Sequence, residues 1–343
     1  MKKIIVTGGA GYIGSHTLIE LLLNTSYEII SIDNFSNSNA DSYQRVKNIT
    51  NKNFTSLNID LCDKVNLFNA LKDLEGIEGI IHFAAFKSVP DSVVDPILYY
   101  HNNIVSLTNL LKLCEVKRIH NFIFSSSCSV YGNADQLPVT EETPLKKAES
   151  PYGHTKQIGE EIISYFCQSN PNFNATMLRY FNPVGAHMSG KNGEYPISKP
   201  NNLVPIITQT AVGKNSLTLF GNDYPTRDGY CIRDYIHVSD IADAHVKAMN
   251  CLVGHQNTKN LNLYNLGFGL GVSVKEAIES FEKVSGQKLN YQVGARRAGD
   301  VIAVYADNSK AKKELAWMPK YTLDDMMLSA WKWQQFLESN KHF

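Results

Sequence analysis

The sequence contains no run of about 18 apolar residues, the length that a membrane-spanning helix needs. No charged-then-apolar leader precedes Lys2, where the first predicted strand begins. Neither sign of charge is in excess, because 33 basic and 33 acidic residues balance. The balance gives no electrostatic reason to expect nucleic acid or an anionic membrane as the main partner. We therefore expect a cytoplasmic protein with a small-molecule partner.

Cysteine pairs at metal-ligand or redox spacing are also missing. The six cysteines are Cys62, Cys114, Cys128, Cys167, Cys231 and Cys251. Without a CxxC motif, they predict buried or inert thiols in a reducing compartment, and neither disulfides nor a metal site are expected. The 43% hydrophobic and 19% charged residues are typical of a globular protein with a sizeable core. A chain of 343 residues is long enough for one large domain or two interlocked domains.

A glycine-rich segment follows the first predicted strand. Residues 2–7 (KKIIVT) form a short β-branched run, and residues 8–14 (GGAGYIG) lead into an amphipathic helix that ends near residue 23. The glycines fit GxGxxG from Gly9 and TGxxGxxG from Thr7. This order of strand, glycines and helix predicts a dinucleotide site in which a helix N-terminus holds the pyrophosphate. The contact residues would be Gly8, Gly11, Tyr12, Ile13 and Gly14.

A carboxylate ends the second predicted strand, residues 27–33 (YEIISID). Asp33 lies about 20 residues past the glycines, where an acidic side chain accepts hydrogen bonds from the adenosine ribose diol. The same charge would repel a 2′-phosphate. The sequence therefore predicts NAD, rather than NADP, as the cofactor.

Strands and helices continue to alternate along the chain. Further strands are predicted at residues 54–58, 79–83, 121–126 and 174–179, and helices at 99–114 and 152–167. This alternation predicts an α/β fold, a Rossmann-type doubly wound parallel sheet, with the site at the carboxyl ends of the strands. The regularity fades after Asn182. We expect an NAD-binding domain over 1–183 plus about 232–258, and a smaller mixed α/β substrate lobe over 184–231 and 259–343.

Three residues form a candidate catalytic group: Ser127, Tyr152 and Lys156. Tyr152 and Lys156 are one helical turn apart, so both side chains can point into one cleft. A lysine charge roughly 4–6 Å away is expected to lower the phenol pKa by about two units, which would make Tyr152 a general base. Ser127 is interpreted as a hydrogen-bond relay or substrate anchor. A YxxxK pair alone is typical of an ordinary helix surface; its convergence with Ser127 on the cofactor favours catalysis.

Several longer motifs occur in order along nearly the whole chain. They are TGGAGYIG, FSSSCSVYG, SPYGHTK, RYFNPVGAH, NNLVP, LFGNDYPTRDG, IRDYIHVSD, YNLGFG and RRAGD. Together they resemble the extended short-chain dehydrogenase/reductase family and, within it, the enzymes that invert C4 of a UDP-hexose. The resemblance implies an NAD-dependent isomerase whose 4-keto intermediate is reduced again on its other face. It also implies a homodimer packed through helices around 99–114 and 152–167, although those apolar faces can equally face the sheet.

The resemblance assigns further residues to the cofactor and the substrate. The additional cofactor residues are Asn34, Asp60, Leu61, Phe83, Ala84, Ala85, Lys87, Asn102, Asn103, Ser125, Tyr152, Lys156 and Tyr180. The substrate residues are Lys87, Ser127, Tyr152, Phe181, Asn182, Asn201, Asn202, Leu203, Leu219, Phe220, Arg233, Tyr235, Arg297, Asp300 and Val304. Arg233 and Arg297 would hold the pyrophosphate, since guanidinium groups bind phosphate oxygens bidentately. Asn102 and Asn103 can instead be cap or kink residues, and Tyr235 a packing residue.

Alternative activities remain within and outside the family. Related dehydratases carry an Asp-Glu pair before VYG, where this chain has Cys128 and Ser129. A glucuronate enzyme would need a receptor for the C6 carboxylate, and no dedicated basic residue is apparent. A non-catalytic NAD-binding regulator would not need to keep Ser127, Tyr152 and Lys156 together.

Val304 bears on the breadth of sugars accepted. In the family, the residue four positions after the Asp of RRxGD lies beside the sugar C2 substituent, where tyrosine excludes an N-acetyl group. Val304 is smaller, so we expect that UDP-N-acetylhexosamines are also interconverted. The run VIAVYAD equally predicts a strand in which Val304 is a core residue.

Overall fold

The computed structural model describes residues 2–196, 200–257, 259–296 and 301–340. The strands are β1 (Lys3–Thr7), β2 (Glu28–Asp33), β3 (Thr55–Asn58), β4 (Ile77–His82), β5 (Asn121–Ser127), β6 (Asn174–Tyr180), β7 (Asn182–Val184), β8 (Leu217–Phe220), β9 (Ile232–Arg233), β10 (Tyr235–His237), β11 (Leu261–Leu266), β12 (Val272–Ser273) and β13 (Tyr291–Gly294). The helices are α1 (Tyr12–Asn24), α2 (Asp41–Thr50), α3 (Lys64–Leu71), α4 (Val89–Val94), α5 (Pro96–Lys117), α6 (Pro151–Ser169), α7 (Leu203–Ala211), α8 (Val238–Val253), α9 (Val274–Ser285), α10 (Ser309–Glu314) and α11 (Leu323–Ser339). A 3-10 helix, Cys128–Tyr131, follows β5.

A seven-stranded parallel sheet lies at the centre, in the order β11-β6-β5-β4-β1-β2-β3. The strand order reverses between β1 and β4, and a crevice at such a reversal is where doubly wound sheets bind their ligands. The predicted Rossmann-type fold is therefore confirmed.

The two faces of the sheet are covered by different helices. Ile4 and Val6 of β1 belong to a buried cluster that includes Leu18 of α1 and Ala244 of α8. Ile5, between them, belongs to the cluster on the other face, with Leu110 of α5. Successive strand residues point to opposite faces, so a strand covered on both sides must be apolar throughout. The strand ends are left to carry polar side chains.

A smaller lobe is built on α7, α9, α11 and the β8–β13 pair. Its core includes Ile207, Phe281 and Met327. The segment 259–343 contributes to both parts, because β11 pairs with β6 in the main sheet. The domain boundaries expected from the sequence remain predictions.

The ends of several elements differ from the sequence expectation. The helix predicted over 99–114 is Pro96–Lys117 in the structure. It begins earlier because Asp95 caps it, accepting from the Leu98 amide at 3.0 Å, with a proline in the first turn. The spacing of apolar residues, from which the helix was predicted, contains no information about the Asp95 cap or the proline. In the described part of the chain, every helix is too short or too polar to cross a membrane.

Candidate active site

The glycine loop packs directly against the end of β4. Gly8 has a φ of +71°, and a Cβ there would lie 2.6 Å from the Ala84 amide nitrogen. A Cβ on Gly14 would lie 2.2 Å from the Gly8 carbonyl oxygen. Any larger side chain at either position would therefore force the loop and α1 away from the sheet.

The N-terminus of α1 is open to an anion. Gly11 precedes the helix, and the first turn has neither a side-chain cap nor an acidic residue. Backbone N–H groups and the helix dipole both favour a negative ligand at such an end. The loop fits the predicted role in holding a dinucleotide pyrophosphate.

Asp33 lies at the end of β2 beside this loop and is 8% exposed. One carboxylate oxygen accepts from the Ala10 amide at 2.9 Å. The other accepts from the Phe35 amide at 2.9 Å and from the Ser38 hydroxyl at 2.8 Å. Phe35 and Ser38 were not predicted as site residues, and the one sequence signal for them is their position shortly after β2.

The turn after β4 is tied to α5 and α6 through Asn103. Its side-chain amide donates to the Phe86 carbonyl at 3.0 Å and to the Thr155 hydroxyl at 3.1 Å, and it accepts from the Phe86 amide at 2.8 Å. Asn102 in turn donates to Asn103 at 3.0 Å. These bonds hold Ala84 and Ala85 close to the catalytic helix. A direct cofactor contact for either asparagine remains a prediction.

The structure brings Ser127, Tyr152 and Lys156 together at the carboxyl end of β5. Helix α6 begins at Pro151, and Ser150 caps it by accepting from the Gly153 amide at 3.1 Å. Tyr152 therefore lies in the first turn, close enough to the Ser127 hydroxyl for that group to lower the phenol pKa. Lys156 donates to the Ser125 carbonyl at 2.7 Å, and its nitrogen is 5.9 Å from the Tyr152 ring centroid.

The expected lowering of the tyrosine pKa is wrong for this arrangement. Burial raises the pKa of Tyr152 to about 12, and the hydrogen bond from Ser127 only partly opposes the increase. The Lys156 ammonium donates to a carbonyl rather than to the phenol. Burial removes water from the ammonium and lowers the pKa of Lys156 to about 8. Burial disfavours both charged forms. A spacing in the sequence says nothing about this cost.

Tyr180 and His82 complete the buried surroundings of Ser125 and Lys156. The Tyr180 hydroxyl is 3.3 Å from His245 Nε2, and burial raises the pKa of Tyr180. His82 contacts the Thr7 hydroxyl at 2.8 Å, and burial lowers the pKa of His82 to about 3. His82 is therefore neutral, so it does not compete with Lys156 as a cation.

On the substrate side, β7 and β10 pair so that Asn182 lies beside Tyr235. Arg233 donates to the Val301 carbonyl at 2.6 Å. Lys87 and Asn202 both donate to one Glu194 oxygen, each at 3.0 Å. Glu194 was not predicted; only the structure shows that it links the cofactor domain to the lobe.

Three of the proposed substrate residues have largely buried side chains. Tyr235 is 4% and Leu219 1% exposed, and both belong to the lobe core, which supports the packing interpretation of Tyr235. Phe181 is 4% exposed. By contrast, Phe220 is 44% exposed at the end of β8. Arg297 and Asp300 lie outside the described residues.

Val304 is 9% exposed and belongs to a small cluster beside the catalytic strand. The buried members are Val130, Tyr131, Val139, Phe181, Val304 and Ala306. Cys128, which directly follows Ser127, packs against this cluster. Val304 is thus a core residue next to the 3-10 helix that follows the catalytic serine. Its contact with a sugar substituent remains a prediction.

Known proteins are similar to this chain in both fold and sequence. A family model described as GDP-mannose 4,6 dehydratase matches residues 5–329. The UDP-glucose 4-epimerase of Bacillus subtilis is 47% identical over 332 residues, 96% of each chain. A crystal structure of UDP-glucose 4-epimerase from Bifidobacterium longum, in complex with NAD+ and UDP, has a TM-score of 0.92 at 42% identity and 98% coverage of both chains. The UDP-Glc/GlcNAc 4-epimerase of Campylobacter jejuni has a TM-score of 0.84 at 38% identity, covering 98% of this chain and 100% of that one.

Proposed function

Because the chain belongs to the family that the GDP-mannose 4,6 dehydratase model describes and, within it, to the UDP-glucose 4-epimerases, we propose that Ser127, Tyr152 and Lys156 carry out its reaction. The protein is an NAD-dependent enzyme that interconverts UDP-glucose and UDP-galactose. The observation that supports the assignment of residues is the convergence of these three side chains beside the glycine loop.

The residues present fit NAD. The open N-terminus of α1 would hold the pyrophosphate, and Asp33 would accept from the adenosine ribose. The small residues Ala84 and Ala85 leave room at the end of β4 for a flat ring. When bound, NAD supplies reversible hydride uptake at the sugar C4.

The catalytic side chains would remove the proton of the sugar 4-hydroxyl and later return it. Tyr152 removes it, and Ser127 shares the hydrogen bond. Since the pKa of Tyr152 is about 12 in the chain alone, the phenolate needs positive charge nearby as it forms. Lys156 provides this charge at 5.9 Å from the ring centroid. The inversion would be complete when the 4-keto sugar, presented by its opposite face, is reduced again at C4 and Tyr152 returns the proton to the 4-oxygen.

The nucleotide must stay bound while the hexose rotates to present its other face. Arg233, Asn182 and Asn202 would hold the diphosphate and uridine, and the exposed Phe220 would cover the uracil. A firm hold on the nucleotide beside a looser sugar pocket permits both faces to be presented.

The test uses the purified holoenzyme with UDP-galactose and no added nicotinamide. We expect sustained conversion to UDP-glucose, because NAD undergoes no net change. Tyr152→Phe should lower kcat by roughly 10²–10⁴-fold while UDP binding is kept, the range typical of a lost acid–base group. A requirement for stoichiometric NAD, or full activity of Tyr152→Phe, would contradict the assignment.

The dehydratase activity named by the family model lacks support at the site. The two positions after Ser127 are Cys128 and Ser129, and burial raises the pKa of Cys128 to about 12. Neither position supplies the carboxyl acid and base that elimination of water requires.

We also propose that N-acetylhexosamines are accepted, because Val304 is small and the Campylobacter jejuni relative is a UDP-Glc/GlcNAc 4-epimerase. The cluster around Val304 contains no tyrosine at that position to occupy the space beside the sugar C2. Separate incubation with UDP-N-acetylgalactosamine, with the epimers resolved, tests this extension.

A homodimer and a cytoplasmic location are also part of the proposal. Helices α5 and α6 expose large apolar side chains, with Ile97 73%, Leu98 46% and Tyr165 70% exposed. Exposed apolar side chains on both helices are the basis for proposing a second copy of the chain as the partner. Light scattering after size-exclusion chromatography would measure the assembly, and cell fractionation the location.

A further inference from the structure

A buried ion pair lies behind the catalytic residues. The side chains of Glu160 on α6 and Arg179 on β6 are 6% and 4% exposed. Arg179 donates through Nε to one Glu160 oxygen at 2.8 Å and through Nη2 to the other at 2.5 Å. The Ser126 hydroxyl donates to the same carboxylate at 2.5 Å. Glu160 is therefore held from two strands at once.

The pair is connected to the catalytic residues through the chain itself. Ser126 lies between Ser125, whose carbonyl accepts from Lys156, and Ser127. In the parallel register, Ser126 is beside Arg179 and Ser127 beside Tyr180. Because strand side chains alternate, Ser126 and Arg179 face α6 on the side opposite to Ser127. Glu160 lies one helical turn after Lys156, on the same buried side of α6.

Stability alone is a weak reason for such a pair. Removing two charges from water costs several kcal/mol per ion, and an apolar replacement of equal volume is often neutral or stabilising. Arg179 also lies 4.8 Å from the Tyr131 ring, and Tyr131 donates to Asn265 at 2.7 Å. The Arg179 guanidinium is thus fixed between the Glu160 carboxylate and the Tyr131 ring.

We propose that Glu160 is a positioning residue of the reaction: Arg179 and Ser126 fix its carboxylate so that it holds Lys156 in place and in its protonated form beside Tyr152. The inference rests on the proposed roles of Tyr152 and Lys156.

The charges around Lys156 support this role. Among the described residues, the titratable groups facing Lys156 are Tyr152 and Glu160 on α6 and His82 on β4, while Tyr180 on β6 faces Tyr152. His82 and the tyrosines are neutral, and the negative charge of this group is the Glu160 carboxylate, whose other side is bonded to the Arg179 cation. Burial lowers the pKa of Lys156 to about 8, and the charge of Glu160 opposes that decrease. Without the carboxylate, the ammonium would lose its proton nearer to neutral pH.

The test measures the protonation of Lys156 directly, in holoenzyme labelled with 15N-lysine. The Nζ resonance is assigned by its loss in Lys156→Met and followed against pH. In Glu160→Gln, we expect the titration midpoint of Lys156 to fall by about one pH unit, a tenfold change in the ionisation constant. The alkaline limb of kcat should move in the same direction, with KM changed less than threefold. Glu161→Gln, an exposed neighbour on α6, is the matched control and should titrate as the wild type.

A second variant covers the case in which Glu160→Gln fails to fold because Arg179 is left buried without an anion. Glu160→Gln combined with Arg179→Gln removes both charges and should lower the same midpoint by a smaller amount, because loss of the more distant Arg179 cation offsets only part of the effect of losing the carboxylate. An unchanged Lys156 midpoint in either folded variant would overturn the proposal. Failure of both variants to fold would also overturn it, since the pair would then serve the fold alone. If Tyr152→Phe and Lys156→Met keep full turnover, the proposed function fails instead, whatever Glu160→Gln shows.

Discussion

The Asp33 carboxylate accepts a hydrogen bond from the Ala10 amide at 2.9 Å, which joins the end of β2 to the glycine loop. The acid is therefore part of the cradle for the dinucleotide before any ligand is considered. Its other oxygen orders the turn through Phe35 and Ser38. One side chain thus shapes the loop and carries a negative charge at the predicted position of the ribose.

Asp33→Asn should weaken NAD binding by roughly 10–100-fold. In this variant an NH2 group replaces one carboxylate oxygen, and it cannot accept a hydrogen bond from the donor that now binds that oxygen. A buried donor left without an acceptor costs about 1–3 kcal/mol. NAD retained per protomer after extensive dialysis, measured by chromatography of the released nucleotide, checks this prediction. Asp73→Asn serves as the control, since Asp73 is 89% exposed. Equal NAD retention in both variants would contradict the role of Asp33.

Val304→Tyr should abolish turnover of UDP-N-acetylgalactosamine and keep that of UDP-galactose within about tenfold. The larger ring would fill the space beside the sugar C2, and the cluster of Val130 and Phe181 would have to adjust, at a cost of about 1–3 kcal/mol in stability. Initial rates with each UDP-sugar give the measurement.

The same change at Ile302, which is 44% exposed and two residues away, tests whether bulk anywhere on this segment has the effect. Ile302→Tyr should leave both activities unchanged. A parallel loss of both activities in Val304→Tyr would show that Val304 acts only as a core residue.

Stability should fall as the pH decreases from 6.5 towards 4. Burial lowers the pKa of His16 and His245 to about 4 and of His82 and His237 to about 3, and it also lowers the pKa of His187. In this range the unfolded chain takes up protons at these groups, with an ordinary pKa near 6.5, and the folded protein does not. Their contribution is complete above pH 6.5 and is lost as the pH falls towards the folded values.

Two buried aspartates act in the opposite direction. Burial raises the pKa of Asp234 and of Asp240 to about 6, so between pH 4 and 6 the folded protein keeps protons that the unfolded chain has released. Among the groups with the largest pKa shifts, four histidines against two aspartates leave a net uptake of about two protons on unfolding, a slope of about 3 kcal/mol per pH unit.

Urea unfolding at several pH values, with NAD at a fixed excess, measures this slope. His245→Gln should reduce it by about one proton, whereas His101→Gln, at an exposed position, should not change it. A stability that is flat or rising as the pH falls from 6.5 to 4.5 would contradict the prediction.

Ile97→Glu together with Tyr165→Glu should convert the proposed dimer to monomers. Both side chains are largely exposed, so the substitutions add charge to the proposed interface at little cost to the folded monomer. Light scattering gives the mass. Val65→Glu is the control, since Val65 is 72% exposed on α3, a helix outside the proposed interface. A wild-type protein that is already monomeric would reject the interface.

Much of the cofactor half is predictable because its signals are local. The order of β1, glycines and α1 and the carboxylate at the end of β2 are each encoded within a few residues of one another. The lobe is harder to predict, since its strands are only two to four residues long and pair across large separations, as β13 does with β8. Short runs of this length carry no periodicity to detect.

The sequence by itself determined the α/β class, the dinucleotide loop, the preference for NAD and the three candidate catalytic residues, because glycine conformation, strand alternation and helical spacing depend on near neighbours. The tertiary structure determined how readily the site residues ionise. Burial raised the pKa of Tyr152 instead of lowering it, and the contacts of Glu160, Arg179 and Glu194 join segments far apart in the chain. Loss of hydration depends on everything that surrounds a group in three dimensions, which no spacing along the chain records.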